Sequence, residues 1–272
     1  MPKPHSYPPR PTNDRASSRT SSGRKDVVTL DRAFSKAGIF SRTEAAKRIR
    51  GGHVQVNGRT VRDPNCWVSK TDRIAIDGEN LRSRKKVYLL FYKPTDVVTS
   101  HGDPGNRRTV YDFLTDLSEW VFPVGRLDKD TSGLLILTND TEFGDRLTNP
   151  NSHIPKTYQV KTNFHPTPEQ LRRLQSGLTL ANGQKVLPAK VQILRQTAKC
   201  TFLQLTITEG KNRQVRRMIE ALGGRVLKLV RTAIGNLHLG NLQIGHYRVL
   251  NRVDLGELWE MPSSGSTSTP TN

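Results

Sequence analysis

The chain has 272 residues and a formal net charge of +19, from 43 Lys and Arg residues against 24 Asp and Glu residues. A charge this large favours a polyanionic partner, because each neutralised phosphate releases a condensed counterion, so nucleic acid is the first partner to test. No run approaches about 18 consecutive apolar residues and the N-terminus lacks a hydrophobic signal core, so the sequence supports neither a membrane span nor secretion.

Residues 1–26 form a low-complexity segment that we expect to be disordered. The segment has five prolines, many Ser and Thr residues, and six Lys and Arg against two Asp, which gives +4. It has too little apolar surface to offset the entropy of ordering, and it is predicted to be a basic arm that adds nonspecific RNA affinity. Its Ser- and Arg-rich composition leaves an organelle transit peptide open. Residues 263–272 are predicted to be a second disordered tail.

Residues 27–85 are predicted to form a small domain of two helices followed by short strands. The apolar residues of the first helix share one face, at Leu30, Ala33, Phe34 and Ala37. Ser41 with Glu44 three residues later predicts a capping box at the start of the second helix, which we expect to end at a Gly-Gly pair. The sequence HVQVNGRTV alternates around Asn57-Gly58, a strong hairpin signal.

Basic side chains on the second predicted helix indicate an RNA contact. Four of them lie outside its apolar stripe: Arg42, Lys47, Arg48 and Arg50. A positive helix beside a hairpin fits an RNA backbone, although a lone basic helix is often only a solvated face. The stretch LDRAFSKAGIFSRTEAAKRIRGGHVQVNGRTV resembles the S4 domain, an RNA-binding module of αL type. The resemblance implies structured rRNA as the ligand of this helix.

A basic linker, RSRKK, leads into residues 86–262, which we expect to form one α+β catalytic domain. Six segments are interpreted as strands: VYLLFYK, VFPVG, LLILT, TYQVK, FLQLTIT and VLKLV. Two segments are interpreted as helices: TPEQLRRLQSG and NRQVRRMIEAL. Because strands outnumber helices and are often joined by short turns, the predicted sheet is mixed and mainly antiparallel.

The stretch GRLDKDTSGLLILTND places Asp128 in a loop between two apolar strands, with Arg126 and Lys129 beside it. A loop held between buried strands is rigid, which suits positioned chemistry. Cations on both sides suit a carboxylate that acts as a nucleophile or electrostatic stabiliser better than one that acts as a general acid. The simpler alternative is a turn aspartate that caps backbone amides, and Asp130 fits that alternative better.

The sequence predicts no metal site. A carboxylate can hold Mg²⁺, but two-metal chemistry needs several converging acids, and no acidic cluster lies near Asp128 in the sequence. The two cysteines, Cys66 and Cys200, have no neighbouring His or Cys at metal-ligand spacing. Both are interpreted as reduced thiols of a cytoplasmic protein.

Two further segments carry candidate RNA-contacting residues. Tyr158 in KTYQVK is either a core aromatic or a platform on which an unstacked base rests. The helix in TEGKNRQVRRMIEALGG has an apolar stripe, and four cations crowd its first turns: Lys211, Arg213, Arg216 and Arg217. This cluster indicates a phosphate ligand or a buried carboxylate partner.

In this order after an S4 domain, GRLDKDTSGLLILTND, KTYQV and EGKNRQVRRM resemble the rRNA pseudouridine synthases that modify small-subunit or large-subunit rRNA. The resemblance covers Thr29 to Trp259. It implies that a uridine in folded rRNA is flipped out, its glycosidic bond is broken, and the base is rejoined through carbon 5. It also implies that no cofactor and no metal take part.

The resemblance also implies roles for individual residues. Asp128 matches the essential aspartate, which attacks the sugar or the base or initiates loss of a ribose proton. Tyr158 matches the tyrosine that stacks on the target base, and Arg216 matches the basic residue that pairs with the aspartate. Arg126 is placed to enter the space left by the flipped base, and Leu229 is expected to pack under the uracil.

Two functions from different classes remain open on these grounds. One is an rRNA pseudouridine synthase, for which LTNPNSHIPKTYQVK and the LPA at 187–189 favour large-subunit rRNA. The other is a non-catalytic rRNA-binding assembly factor, which would not need Asp128 and Tyr158 together with the NRQVRRM helix. The sequence does not identify the target uridine. A monomer is the simpler expectation for a chain this charged.

Overall fold

The computed structural model describes residues 27–82, 84–100, 103 and 105–259. The predictions for residues 1–26 and 263–272 therefore lie outside the described residues. The domain boundaries at 27–85 and 86–262 stay predictions.

Residues 27–82 form two helices and six short strands around a core of their own. The helices are α1 (Leu30–Lys36) and α2 (Arg42–Gly51). The strands are β1 (Val27–Thr29), β2 (Val54–Val56), β3 (Arg59–Thr60), β4 (Trp67–Ser69), β5 (Ile74–Ile76) and β6 (Glu79–Asn80). Strand β1 pairs with β4, and the other four form a sheet in the order β3-β2-β5-β6. The core contains Leu30, Phe34, Ile49 and Val54, all without solvent exposure.

The local signals of this first part are largely confirmed. Ser41 Oγ accepts a hydrogen bond of 3.1 Å from the backbone N–H of Glu44, which starts α2 as expected. The reciprocal half of the predicted capping box is absent among the described contacts, because the Glu44 carboxylate accepts from Arg48 Nε instead. Asn57 and Gly58 both have positive φ, at 53° and 79°, as a tight hairpin turn requires. They join β2 and β3, which pair antiparallel with Val56 opposite Arg59.

The rest of the described chain forms a second, larger α+β unit. Its helices are α3 (Thr141–Thr148), α4 (Pro168–Ser176), α5 (Gln214–Glu220) and α6 (Arg252–Glu257). Its first strands are β7 (Tyr88–Lys93), β8 (Phe122–Pro123), β9 (Ser132–Thr138), β10 (Lys156–Thr162), β11 (Leu178–Thr179) and β12 (Lys185–Val186). The remaining strands are β13 (Lys190–Thr197), β14 (Cys200–Ile207), β15 (Val226–Ile234), β16 (Leu237–His238) and β17 (Tyr247–Val249).

The central sheet of this unit has the strand order β13-β14-β10-β15-β9-β7-β17, with β16 paired to β15 and β8 paired to β9. Only β15 and β9 run parallel among the paired strands that the structure describes, so the predicted mixed and mainly antiparallel sheet is confirmed. One face of the β14, β10 and β15 strands packs against α4 and α5 through Val160, Leu174, Leu205, Met218 and Ile219.

Two absences among the described residues bear on function. No helix there is long and apolar enough to cross a membrane. No group of three or more His, Cys, Asp or Glu side chains is placed to hold a metal ion in those same ranges.

Candidate active site

The Asp128 loop lies between β8 and β9. The buried side chain of Lys93 donates hydrogen bonds to its backbone. Lys93, at the end of β7, has no solvent exposure, and its Nζ donates to the backbone carbonyls of Thr131 and Pro94 at 2.8 Å. A longer contact of 3.4 Å reaches the carbonyl of Lys129. Burial lowers the pKa of Lys93 to about 8, and the nearby carboxylates oppose that shift in part. The loop therefore has a fixed backbone.

A close approach of two strands brings the Asp128 loop beside β15. Gly133 in β9 lies opposite Arg231 in the parallel β9–β15 pair. Its φ is 115°, and a Cβ at this position would lie 2.2 Å from the Arg231 carbonyl oxygen. Only glycine fits such an approach without displacing backbone. The pairing places side chains of β15 next to Asp128, although the two segments are about a hundred residues apart.

A pocket of about 350 Å³ opens beside Asp128. The Asp128 loop, β10, the segment before α5, and β15 all contribute to its walls. Its lining includes Arg126, Asp128, Lys156, Tyr158, Leu229 and Arg231, with Lys211 and Arg213 from the segment before α5. The structure therefore brings together residues from four separate sequence motifs.

Tyr158 and Leu229 form an apolar part of the pocket wall. Tyr158 on β10 and Leu229 on β15 are almost fully buried, at 9% and 4% exposure, and both belong to the core under α4 and α5. The two interpretations of Tyr158 from the sequence are therefore compatible, because the residue belongs to the core and also lines the pocket.

Two carboxylates of the loop share the cations of the α5 segment. Arg213 Nη1 lies 3.8 Å from Asp128 Oδ2 and 3.2 Å from Asp130 Oδ1. Arg216 Nε lies 3.3 Å from Asp130 Oδ2, and its Nη2 donates to the Asp130 carbonyl at 2.8 Å. In this structure Arg216 contacts Asp130, and Arg213 is within salt-bridge distance of Asp128, so the pairing of Arg216 with Asp128 stays a prediction. The Asp130 carboxylate contacts these two arginines, and its interpretation as a backbone cap stays a prediction.

Sequence reasoning missed two cations in the pocket. Arg231 is 6% exposed, its Nε donates to the Leu134 carbonyl at 2.8 Å, and its buried Nη2 has no hydrogen-bond partner among the described residues. Lys156 on β10 lines the same pocket. Burial, and then the charge of Arg231, lower the pKa of Lys156 to about 8. A cation at the end of an apolar strand, as in VLKLVR, is the sequence signal that could have found Arg231.

Comparison with known proteins decides the family. Residues 28–74 match the S4 domain, and residues 87–221 match the RNA pseudouridylate synthase family. The ribosomal large subunit pseudouridine synthase B of Bacillus subtilis is 39% identical over 241 residues, which cover 88% of this chain and 98% of the relative. This chain belongs to the RNA pseudouridylate synthase family. It is therefore an isomerase that acts on RNA. The alternative function, a non-catalytic assembly factor, is not supported.

Two further comparisons agree with this membership. An uncharacterized RNA pseudouridine synthase of Aquifex aeolicus is 37% identical over 235 residues, covering 86% of this synthase and 94% of the relative. A crystal structure of a pseudouridylate synthase superimposes with a TM-score of 0.63 at 32% identity, over 85% of this chain and 99% of the other. The expected fold, an S4 domain followed by a pseudouridine synthase domain, is confirmed.

The predicted RNA-binding cations of the larger unit differ in their contacts and in their distance from the pocket. Arg126 is exposed at the pocket rim. Lys211 Nζ lies 2.7 Å from Glu209 Oε2 and donates to the Lys185 carbonyl. Arg217 Nη1 donates to Gln184 Oε1 at 3.1 Å, and Arg217 is not among the side chains that line the pocket. The RNA contacts of all these residues stay predictions.

On the S4 domain, the four predicted RNA-binding cations of α2 differ in whether a carboxylate contacts them. Arg42 Nε lies 2.7 Å from Asp31 Oδ2, and Arg48 contacts Glu44 and stacks over the Phe40 ring at 4.6 Å. Lys47 and Arg50 are exposed, and their side chains have no carboxylate within salt-bridge distance in the part of the chain that the structure describes. Lys47 and Arg50 are thus the cations most available for phosphate.

Proposed function

We propose that this synthase converts a specific uridine of large-subunit rRNA to pseudouridine. The name and near full-length match of the Bacillus subtilis relative support the choice of the large subunit. The S4 domain and the net charge of +19 support a large, folded RNA as substrate. In the same proposal the protein acts in the cytoplasm as a monomer, because like charge opposes self-association.

The observation that carries the proposal is the position of Asp128 on the wall of a pocket that also contains Tyr158 and Leu229. A uridine inside a stacked helix is inaccessible to a side chain, so the nucleotide must leave the stack before it reacts. Extrusion costs a few kcal/mol, and stacking on Tyr158 with apolar support from Leu229 offsets that cost. Arg126, exposed at the rim, is the residue proposed to enter the space that the base leaves.

The proposed reaction conserves every atom of the nucleotide. The bond between N1 and the ribose C1′ breaks, a bond between C5 and C1′ forms, the C5 proton leaves, and N1 takes a proton. Positive charge develops at the sugar during cleavage, and a carboxylate held beside it lowers that barrier. Asp128 is proposed to face the ribose. Arg213, 3.8 Å away, is proposed to keep the carboxylate in position.

The decisive experiment maps pseudouridine in rRNA from cells that lack the gene and from cells complemented with variants. The wild-type chain is expected to restore one or more sites in large-subunit rRNA. Asp128→Asn is expected to lower the rate by about 10³-fold or more while RNA binding stays near wild type. Asp145→Asn, the same change on the exposed face of α3, is the matched control and is expected to be fully active.

Two results would contradict the proposal. Restoration of sites only in small-subunit rRNA would overturn the choice of subunit. Full activity of Asp128→Asn would overturn the role of Asp128, whichever rRNA is modified.

A further inference from the structure

The central sheet has a second, uncovered face on the side opposite the pocket. Successive side chains of a strand point to opposite faces, so the neighbours of Tyr158 and Val160 in β10 point away from the core. Gln159 is exposed and Lys161 is half-buried on that side. The uncovered face extends over β13, β14, β10 and β15.

One row of side chains crosses this face from strand to strand. Arg195 of β13 lies opposite Phe202 of β14, Phe202 lies opposite Lys161 of β10, and Lys161 lies opposite Lys228 of β15. We call these four residues the basic row. The row begins at β13, the end strand of the sheet order, so it is accessible from the sheet edge.

The basic row combines like charges with no compensating acid. Lys161 and Lys228 are directly opposite each other, an arrangement that destabilises a sheet when nothing neutralises it. The strands β10, β13, β14 and β15 contain no Asp or Glu. Within the described ranges, no carboxylate lies within salt-bridge distance of Arg195, Lys161 or Lys228. An anion from outside this part of the chain would neutralise the repulsion between these cations.

Phe202 orients two of the cations. The Arg195 guanidinium lies 4.4 Å from the centre of the Phe202 ring, and Lys161 Nζ lies 5.6 Å from it. Cation–π contacts of this kind restrict long side chains and so lower the entropy lost when a ligand binds. The adjacent cross-strand row is made of amides, Gln192, Gln204 and Gln159, which can donate to phosphate or sugar oxygens.

A groove of about 540 Å³ runs along this face. Lys161, Phe202 and Lys228 line it together with His238 from β16. The groove is thus open, positively charged and lined in part by an aromatic ring. Grooves of this composition are typical of surfaces that follow a nucleic-acid backbone.

We propose that the basic row binds the phosphodiester backbone of the RNA substrate, at a surface separate from the Asp128 pocket. An rRNA segment that flanks the target nucleotide would pass the β13 edge and lie across the row. The inference rests on RNA as the substrate but not on which rRNA is modified. A second copy of the chain would bring the same cations face to face, and residues 1–26 carry +4, so neither supplies the missing negative charge.

The test compares two double variants of the full-length protein. Lys161→Gln with Lys228→Gln removes two charges from the row, and Arg172→Gln with Arg173→Gln removes two exposed charges from α4. Binding to a large-subunit rRNA transcript is measured by filter retention over a range of KCl concentrations. Turnover is measured on the same transcript under single-turnover conditions with protein in excess, and the melting temperature is recorded for each protein.

The row variant is expected to bind the transcript at least fivefold more weakly at 0.1 M salt, and the slope of log K against log salt is expected to fall by about two. Its rate constant at saturating protein should equal that of the wild type, because the row lies away from Asp128. Its melting temperature should be unchanged or higher, because a like-charge pair is removed. The α4 variant should bind more tightly than the row variant at 0.1 M salt.

Equal weakening in both double variants would overturn the proposal, because net charge alone would then explain it. Unchanged binding in the row variant would overturn it too. A third result would also overturn it: the wild type and the α4 variant form a concentration-dependent dimer and the row variant does not. A second copy of the chain would then be the partner that covers this face. If the wild-type protein binds the transcript but forms no pseudouridine in it, the proposal of large-subunit rRNA as the substrate is contradicted. The difference in binding between the two double variants still tests the proposal for the basic row.

Discussion

The guanidinium of Arg213 lies 3.8 Å from the carboxylate of Asp128. The same guanidinium donates to Asp130, so one cation is shared by two acids of one loop. Arg213 has a left-handed backbone, with φ 48° and ψ 31°, immediately before α5. A non-glycine residue adopts this conformation at a cost, and such residues cluster at functional sites. The strain is consistent with a positioning role for Arg213.

Replacing Arg213 is expected to impair chemistry more than binding. Arg213→Gln removes the charge beside Asp128, and the single-turnover rate is expected to fall about 10- to 100-fold. The dissociation constant for RNA should rise by no more than about fivefold, the value of one charge contact in water. Arg172→Gln on α4 is the matched control. An Arg213→Gln rate equal to that of the wild type would show that Asp128 does not depend on this contact.

The buried amine of Lys93 is expected to control the geometry of the Asp128 loop. Lys93→Met keeps the length of the side chain but leaves the carbonyls of Pro94 and Thr131 without their donor. Each unsatisfied carbonyl costs about 1–3 kcal/mol, so the free energy of unfolding should fall, which urea titration measures. We also expect at least about a tenfold loss of single-turnover rate. A destabilised variant with an unchanged rate would contradict a role for Lys93 in catalysis.

The charge of Lys156 is expected to make RNA affinity depend on pH. Its pKa of about 8 lies below the ordinary value of a lysine, so the folded protein without RNA loses this cation as pH rises through 8. Attraction for phosphate is thus present below pH 8 and lost above it. The RNA dissociation constant should rise roughly fivefold between pH 7 and pH 9. Lys156→Arg keeps its charge in this range and should remove most of that rise; an identical pH profile would contradict the prediction.

The close approach at Gly133 is expected to be essential for the fold. Gly133→Ala puts a Cβ 2.2 Å from the Arg231 carbonyl oxygen and should destabilise the protein by several kcal/mol, or prevent folding. Gly183→Ala is the matched control, because Gly183 also has a positive φ, 80°, but has open space around its missing Cβ. It should cost only about 1 kcal/mol. Similar melting temperatures for the two variants would show that the strands can separate to admit a methyl group.

Local patterns in the sequence determined most of the elements. The capping signal at Ser41, the Asn57-Gly58 turn and the apolar runs that became β7, β9 and β15 all depend on neighbours within a few residues, which a sequence displays directly. Strand β13 was missed because most of its residues are exposed and show no alternation. Helices α3 and α6 were missed because they are short, with eight and six residues, so each shows only about two turns of any periodic pattern.

The motifs in the sequence also determined the family and its candidate residues, because GRLD, KTY and NRQVRRM each carry recognisable chemistry. Only the tertiary structure decided which acid each arginine contacts, since Arg213 and Arg216 are three residues apart and both face the same loop. It also decided that Lys93, Lys156 and Arg231 belong to the site. Those contacts arise from the pairing of strands distant in the chain, and spacing along a sequence does not specify which strands become neighbours.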